Sequence, residues 1–181
     1  VTGCLNQRRT EEKRFVPVSV NLSWMDFYDE NMLEWIVRGL KKNNQNEQKI
    51  RFEITETSLA AIGENHTRML THLKENGAEI LLDDFGSGYS SFGMLQDYDF
   101  DILKMDISFV RNIGVNKKSE SILRAIIDMA HQLEIRLVAE GAETEEQVAF
   151  LRENGCDYIQ GYYYYKPMPE KEFLQLLDEG K

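Results

Sequence analysis

The sequence predicts an α/β fold, a barrel of parallel strands alternating with helices, and three observations carry that prediction. Six short runs rich in Val, Ile, Leu, Phe or Tyr each stop abruptly at a polar residue. The stops are separated by 32, 30, 21, 36 and 20 residues, room each time for a strand, a loop and a helix. Between the runs the apolar spacing changes to three and four, the period of an amphipathic helix.

The first run, Val16 to Asn21, is followed by Ser23, read as the cap of a helix with Met32, Leu33, Ile36 and Leu40 on one face. Ile50 to Glu53, Ile80 to Asp83 and Ile102 to Lys104 are the next three strands, continuous enough in apolar character for burial on both faces. Ser119 before Glu120 is read as the cap of a helix carrying Ile122, Ile126, Met129 and Leu133. After the strand Leu137 to Glu140, Thr144 and Gln147 have the spacing of a capping box, and Gly155 closes that helix. Tyr158 to Gln160 is the sixth strand. Pro169 then opens a last helix with Phe173, Leu174 and Leu177 on one face.

Parallel β/α units can form an open sheet or close into a barrel. An open sheet gathers its ligands at one switch-point crevice, whereas a barrel gathers the carboxyl ends of all its strands around one mouth. Here all six strands end in an acid, an amide or a lysine, which favours a TIM-like (β/α) barrel. Such a barrel has eight strands. The two uncounted ones are therefore expected before Val1, with residues 1–15 as the remnant of a helix leading into the first visible strand. Residues 1–181 then form a single, incomplete domain, and its edges at Val16 to Leu22 and Tyr158 to Tyr162 invite pairing with another chain.

A chain of 181 residues, 42% of them hydrophobic, can build one sizeable core. No run of about 18 apolar residues occurs, so no membrane segment is expected in this chain, although a longer parent could be tethered to one. Cys4 and Cys156 make no CxxC pair, which fits a reducing compartment and a cytoplasmic location. Thirty-one acids against 21 Lys and Arg give a net charge of −10. DNA and RNA polymers are thereby disfavoured as partners, and a small phosphorylated ligand would need local cations.

The chemistry concentrates at the strand ends. Asp83 and Asp84 precede Phe85-Gly86-Ser87-Gly88-Tyr89-Ser90-Ser91. Adjacent strand residues face opposite ways, so both acids reach one site only where the backbone turns. The loop lacks the GxxxxGK[ST] pattern of a Walker phosphate cradle. Glu53 and Glu56 add two acids at one strand end, and Glu140 and Glu143 add two at another. Six carboxylates around one mouth require either protonation or bound cations. Oxygen ligands of this kind, with the amide of Asn21, suit Mg²⁺ or Mn²⁺ rather than zinc, and adjacent aspartates point to two metals. His66, His72 and His131 fall within helices, away from the strand ends. Lys104 is the cation of the mouth, able to hold a phosphate, stabilise an oxyanion, orient water, or simply neutralise its neighbours. Gln160 stands before Gly161 and the run Tyr162 to Tyr165. Those tyrosines offer stacking surface for a substrate, or equally alternate between core and helix layer.

The ordered motifs Val20-Asn21-Leu22-Ser23, Glu53-Ile54-Thr55-Glu56, Asp83-Asp84-Phe85-Gly86-Ser87-Gly88-Tyr89-Ser90-Ser91, Leu103-Lys104-Met105-Asp106, Ala139-Glu140-Gly141-Ala142-Glu143 and Gln160-Gly161 resemble the EAL family of cyclic di-GMP phosphodiesterases from about Val16 to Pro169. The resemblance implies Mg²⁺- or Mn²⁺-dependent hydrolysis of cyclic di-GMP to linear pGpG on a modified eight-stranded barrel. It implies Asn21, Glu53 and Asp83 as ligands of a first metal and Asp83 with Asp84 as the set for a second. Lys104 and Glu140 match the residues that position or activate the attacking water, Glu140 as general base. Glu56 matches the residue that holds the loop after Asp84, which the family uses to couple metal binding with dimerisation, so a homodimer is implied. Glu143, Gln160 and Asp106 match positions near metal and substrate. Flanking sensory or GGDEF domains are implied for a longer parent. Ser87 stands where threonine is usual and Ala142 where valine is. The Glu-Ala-Leu tripeptide that names the family, whose glutamate is a metal ligand there, does not occur in this sequence. Losing that ligand would loosen the site. Two functions stay open: the phosphodiesterase, and a catalytically inactive module that binds cyclic di-GMP or regulates. An unrelated metal-dependent barrel would require the motif order to be accidental.

Overall fold

The six apolar runs form six strands of one curved sheet, along each of which successive side chains face opposite sides. The computed structural model describes residues 16–23, 25–26, 30–43, 50–60, 66–87 and 91–180. The helix expected at 1–15, together with Trp24 and the loop residues 88–90, lies outside them. The strands are β1 (Val18–Asn21), β2 (Ile50–Thr55), β3 (Glu79–Phe85), β4 (Ile102–Met105), β5 (Arg136–Glu140) and β6 (Tyr158–Gln160). The helices are α1 (Glu30–Asn43), α2 (Glu56–Ala60), α3 (His66–Glu75), α4 (Ser91–Asp97), α5 (Ile107–Arg111), α6 (Lys117–Gln132), α7 (Glu145–Glu153) and α8 (Glu170–Asp178).

The sheet order is β1-β2-β3-β4-β5-β6 and every pair is parallel. Its outer face carries the main core. Phe52, Ile54, Ile80, Leu82, Leu103, Met105, Leu137 and Ala139 pack there with helix residues such as Leu73, Leu123, Ile127 and Leu151. The opposite parity points inward, where Leu81, Ile102 and Val138 form a separate buried layer. Two cores on the two faces of one sheet are what a curled parallel sheet requires.

Below the inner apolar layer, at the amino-terminal ends of the strands, lies an ion trio. The buried Glu79 carboxylate accepts 2.8 Å from Arg51 Nε and 2.7 Å from Arg136 Nη2. Arg51 also sits 5.7 Å from the ring centre of Tyr158. Because β2 and β6 have three strands between them, that contact is made across the interior and shows directly how far the sheet bends. The expected (β/α) barrel, with six strands present, is therefore what the described residues form.

Several boundaries and caps differ from expectation. β2 runs on to Thr55, β3 to Phe85 and β4 to Met105, beyond the polar residues taken as endings. Polarity marked the end of the apolar run, whereas backbone pairing continues past it. α6 is capped by Asn116, whose side chain accepts from Lys118 and Ser119 N–H, not by Ser119. An amide at this position satisfies two orphan donors at once. Its buried stripe is Leu123, Ile126, Ile127 and Ala130, with Ile122 and Leu133 left exposed. The first turn that Ser23 is expected to cap lies largely outside the described residues; within them Ser23 N–H and hydroxyl both donate to Asp26 Oδ2, and Asp26 N–H donates back to Ser23 O. The Thr144–Gln147 capping box forms as expected, Gly155 follows α7 with φ of 80°, and Pro169 opens α8.

Candidate active site

Lys104 lies at the centre of the mouth. Its neighbours Leu103 and Met105 are fully buried toward the helices, so the intervening side chain must point inward. Its Nζ stands 3.1 Å from Glu53 Oε2, 3.0 Å from Asp83 Oδ1 and 2.8 Å from Glu140 Oε1. One lysine thus joins β2, β3 and β5 through β4. Burial works against the charged ammonium, but the hydrogen bonds and charges of Glu140 and Asp83 outweigh it and hold its pKa above the ordinary lysine range.

The two aspartates reach the mouth by a β-bulge. Leu82 pairs with Leu103 and Phe85 with Met105, so three steps along β3 match two along β4. The turn needed to bring both acids to one side is inside the strand, not after it as expected. Asp84 takes up the extra residue in the left-handed region, with φ of 57°, and its N–H donates 3.0 Å to Asp83 Oδ1. Burial, then the charges of Asp83 and Asp106, push the Asp84 carboxyl above the usual carboxylate range; Glu56 adds to this and Lys104 opposes it.

Beyond the bulge, Gly86 N–H donates 3.4 Å to Glu56 Oε1, a carboxylate buried at the start of α2. Gly86 has φ of 91°, and the Phe109 ring fills the space a Cβ would take. Gly141, immediately after Glu140, is held in the same way by Ile107. Asp106 receives Ser108 N–H at 2.8 Å and so starts α5. These contacts fix the chain on either side of the charged residues.

Asn21 ends β1 in register with Glu53, and Gln160 ends β6 in register with Glu140. Both side chains are exposed around the charged centre. Glu143 is exposed too; its backbone N–H donates 2.7 Å to Gln147 Oε1, and its side chain is not among the three acids on Lys104. His72 and His131 lie on helices with exposed side chains, as expected, and His66 begins α3. The tyrosine run is not core: Tyr162, Tyr163, Tyr164 and Tyr165 are all exposed, Tyr164 Oη accepting from Arg152 Nη2 at 2.9 Å.

Glu53, Asp83, Lys104 and Glu140 are therefore brought together, with Asp84, Glu56 and Asp106 beside them. Among the described residues no three His, Cys, Asp or Glu side chains form a ready-made metal cage. The assembled unit is a lysine shared by three acids. Its donors nevertheless fit a hard divalent cation, since carboxylate oxygens of Glu53 and Asp83 already share one cation and Asn21 stands in the adjacent register. Missed by sequence reasoning were Arg51, Glu79 and Arg136. Their signal was parity: they stand two, four and four residues before Glu53, Asp83 and Glu140 on the same strand face.

A parallel β/α barrel with acids and a lysine on its strand ends belongs to the barrel enzymes whose chemistry sits at the carboxyl-terminal mouth. The EAL domain model matches residues 3–167, and the chain belongs to that family. It is 42% identical over 129 residues to the cyclic di-GMP phosphodiesterase NbdA of Pseudomonas aeruginosa, an alignment covering 70% of this chain and 16% of that protein. The EAL domain of Mycobacterium smegmatis DcpA superposes with a TM-score of 0.87 at 31% identity, over 97% of this chain and 79% of that one. A manganese and cyclic di-GMP complex of Klebsiella pneumoniae BlrP1 superposes with a TM-score of 0.78 at 25% identity, over 90% and 41%. The chain spans only 16–25% of the length of several curated relatives it matches. Several of the relatives, NbdA among them, are named cyclic di-GMP phosphodiesterases. Among the described residues no helix is long and apolar enough to cross a membrane.

Proposed function

We propose that this domain hydrolyses one phosphodiester of cyclic di-GMP to give linear pGpG, with Mg²⁺ or Mn²⁺ as cofactor. The observation that carries the proposal is the Lys104 centre, where an ammonium and three carboxylates from separate strands converge at the mouth. Asn21, Glu53 and Asp83 would hold one metal, and Asp83 with Asp84 a second. The metals would supply Lewis-acid stabilisation of the phosphoryl oxygens and a more acidic water.

The chain's own residues do the rest. Glu140 is the most exposed of the three acids on Lys104 and stands at the end of β5, placed to accept a proton from an attacking water. Lys104 donates to Glu140 and fixes that carboxylate's orientation, while its charge stabilises negative charge growing on the phosphate. Glu56 holds the backbone after Asp84. Gln160 and Glu143 flank the mouth where the nucleotide would lie, and the exposed tyrosines add stacking surface.

A cyclic di-GMP receptor without hydrolysis is the second proposal, supported by the way Glu53, Asp83 and Glu140 meet around the Lys104 ammonium, with no ready-made metal cage among the described residues. The likeness to cyclic di-GMP phosphodiesterases supports a cytoplasmic domain that works as a homodimer, joined in a longer parent to sensory or GGDEF domains. The test is pGpG formation from cyclic di-GMP with Mg²⁺ or Mn²⁺, alongside calorimetric binding of the dinucleotide. Hydrolysis abolished by EDTA supports the enzyme; binding without hydrolysis supports the receptor; neither result refutes both. Sedimentation at several concentrations checks the dimer.

A further inference from the structure

The same strands carry two charged clusters of opposite design. β2 contributes Arg51 and Glu53, β3 contributes Glu79 and Asp83, and β5 contributes Arg136 and Glu140. At the amino-terminal end one acid is gripped by two bases, Glu79 by Arg51 and Arg136 at 2.8 and 2.7 Å. At the carboxyl end one base is gripped by three acids. Between them lies the dry layer of Leu81, Ile102 and Val138.

We propose that Glu79 is a positioning residue for the candidate active site. It sets the curl and relative slide of β2, β3 and β5, and thereby delivers Glu53, Asp83 and Glu140 to one point. Three features carry this. Glu79 lies on β3 and Arg136 on β5, so their ion pair reaches across the intervening β4 and ties the two strands together on the inner face. Arg51 adds the Tyr158 ring of β6 to the same assembly, extending the clamp over five adjacent strands. The lever is short: an extended strand rises about 3.3 Å per residue, so the two clusters lie roughly 7 to 13 Å apart along rigid, doubly packed backbone. A slide at the lower end moves a carboxylate at the upper end by a similar distance. Within the trio the Glu79 side chain is 5% exposed, against 18% for Arg51 and 34% for Arg136, so losing its charge leaves two partly solvated guanidiniums facing each other.

The metal readout rests on the proposed cation site; the structural readout does not. Glu79→Gln keeps the shape and removes the charge. Manganese binding is titrated by calorimetry on wild type, Glu79→Gln and a control, Leu151→Ala, which removes a buried outer-core side chain of α7, on the opposite face of the sheet from both clusters. All three are measured at a temperature where circular dichroism shows each fully folded. Expected is about a tenfold loss of manganese affinity in Glu79→Gln and wild-type affinity in Leu151→Ala. Wild-type affinity in Glu79→Gln, or an equal loss in Leu151→Ala, overturns the proposal. If wild type binds no manganese, the cation site itself fails, and crystal structures of wild type and Glu79→Gln decide the positioning role alone. Opening of at least one Lys104–carboxylate contact beyond 4 Å supports it, and three retained contacts overturn it. Should Glu79→Gln not fold, the apolar triple variant Arg51→Met, Glu79→Leu, Arg136→Met replaces it in the same measurements and is judged by the same outcomes.

Discussion

Replacing Lys104 by methionine removes the cation while keeping most of the side-chain volume. The three oxygens now bonded to Nζ lie 2.8 to 3.1 Å from it, so no two of them are more than about 6 Å apart. At an effective dielectric of 20, a pair of charges at that distance repels by about 3 kcal/mol. Breaking a buried ion cluster by removing one partner costs about 3–5 kcal/mol. For a domain of this size each kcal/mol lowers Tm by about 2–4 °C. Lys104→Met in EDTA should therefore melt about 6–20 °C below wild type in a circular dichroism scan. Added Mg²⁺ or Mn²⁺ should recover part of that loss, because a divalent cation at Glu53 and Asp83 again offsets the repulsion. The sharpest check is a double variant. Glu140→Gln should destabilise wild type, where it removes a partner of Lys104, but stabilise Lys104→Met, where it removes a repelling charge. The same sign in both backgrounds, or a Lys104→Met protein as stable as wild type in EDTA, would refute the reasoning. The pH dependence has a fixed sign. Because the folded pKa is raised, the lysine's contribution is fully present below its ordinary value of 10.5 and is lost as pH rises through the folded value. The Tm gap between wild type and Lys104→Met should hold steady from pH 7 to about 10 and narrow only above that.

Further outcomes follow from the same geometry. Asp84→Asn removes a charge that burial and its acidic neighbours disfavour, and asparagine tolerates the left-handed conformation, so Tm in EDTA should rise by about 1–2 °C while phosphodiesterase activity falls. Gly141→Ala places a methyl group against Ile107 at a φ of 76°; denaturant titration should show a loss of about 1–3 kcal/mol, with reduced activity from a displaced Glu140. Thr144→Ala should cost about 1 kcal/mol in the same titration by opening the capping box at α7. Burial pushes the Cys156 thiol up to about 11, so it should react with a thiol reagent at pH 8 far more slowly than an unfolded control.

The charged centre was legible because strand parity is a strict rule. Once Leu103 and Met105 are assigned to the helix layer, Lys104 has one direction left, and the same holds for Glu53 between Phe52 and Ile54. The bulge at Asp83–Asp84 was legible only as a conflict, since alternation forbids adjacent acids from sharing a face and the sequence does not say where the extra residue is absorbed. Glu79, Arg51 and Arg136 escaped notice because a charged residue at the start of a strand looks like the end of a polar loop. Their meaning depends on partners 28 and 57 residues from Glu79 along the chain. The cap of α6 was misplaced because Asn116 and Ser119 both have capping chemistry, and only the backbone at Asn116, extended at φ of −133°, selects between them. An unbroken tyrosine run shows no alternation from which to choose between core and surface, and Gly161 turns the chain back onto Ala142 and leaves all four rings outside.

Every strand pairs with its successor in sequence, so the sheet can grow during folding by adding one unit at a time to an existing edge. The Lys104 centre does not grow that way. It needs Glu53 from β2, Asp83 from β3 and Glu140 from β5, so a nascent chain that has built β1 to β4 carries the lysine with two of its three acids. Closure entropy for that last contact falls on a sheet already formed rather than on an open coil, and rises only slowly with the span to be closed. Folding order and competence are thereby linked: β5 completes the charged centre, and the lysine cannot meet its third acid before β2 to β5 are all in place.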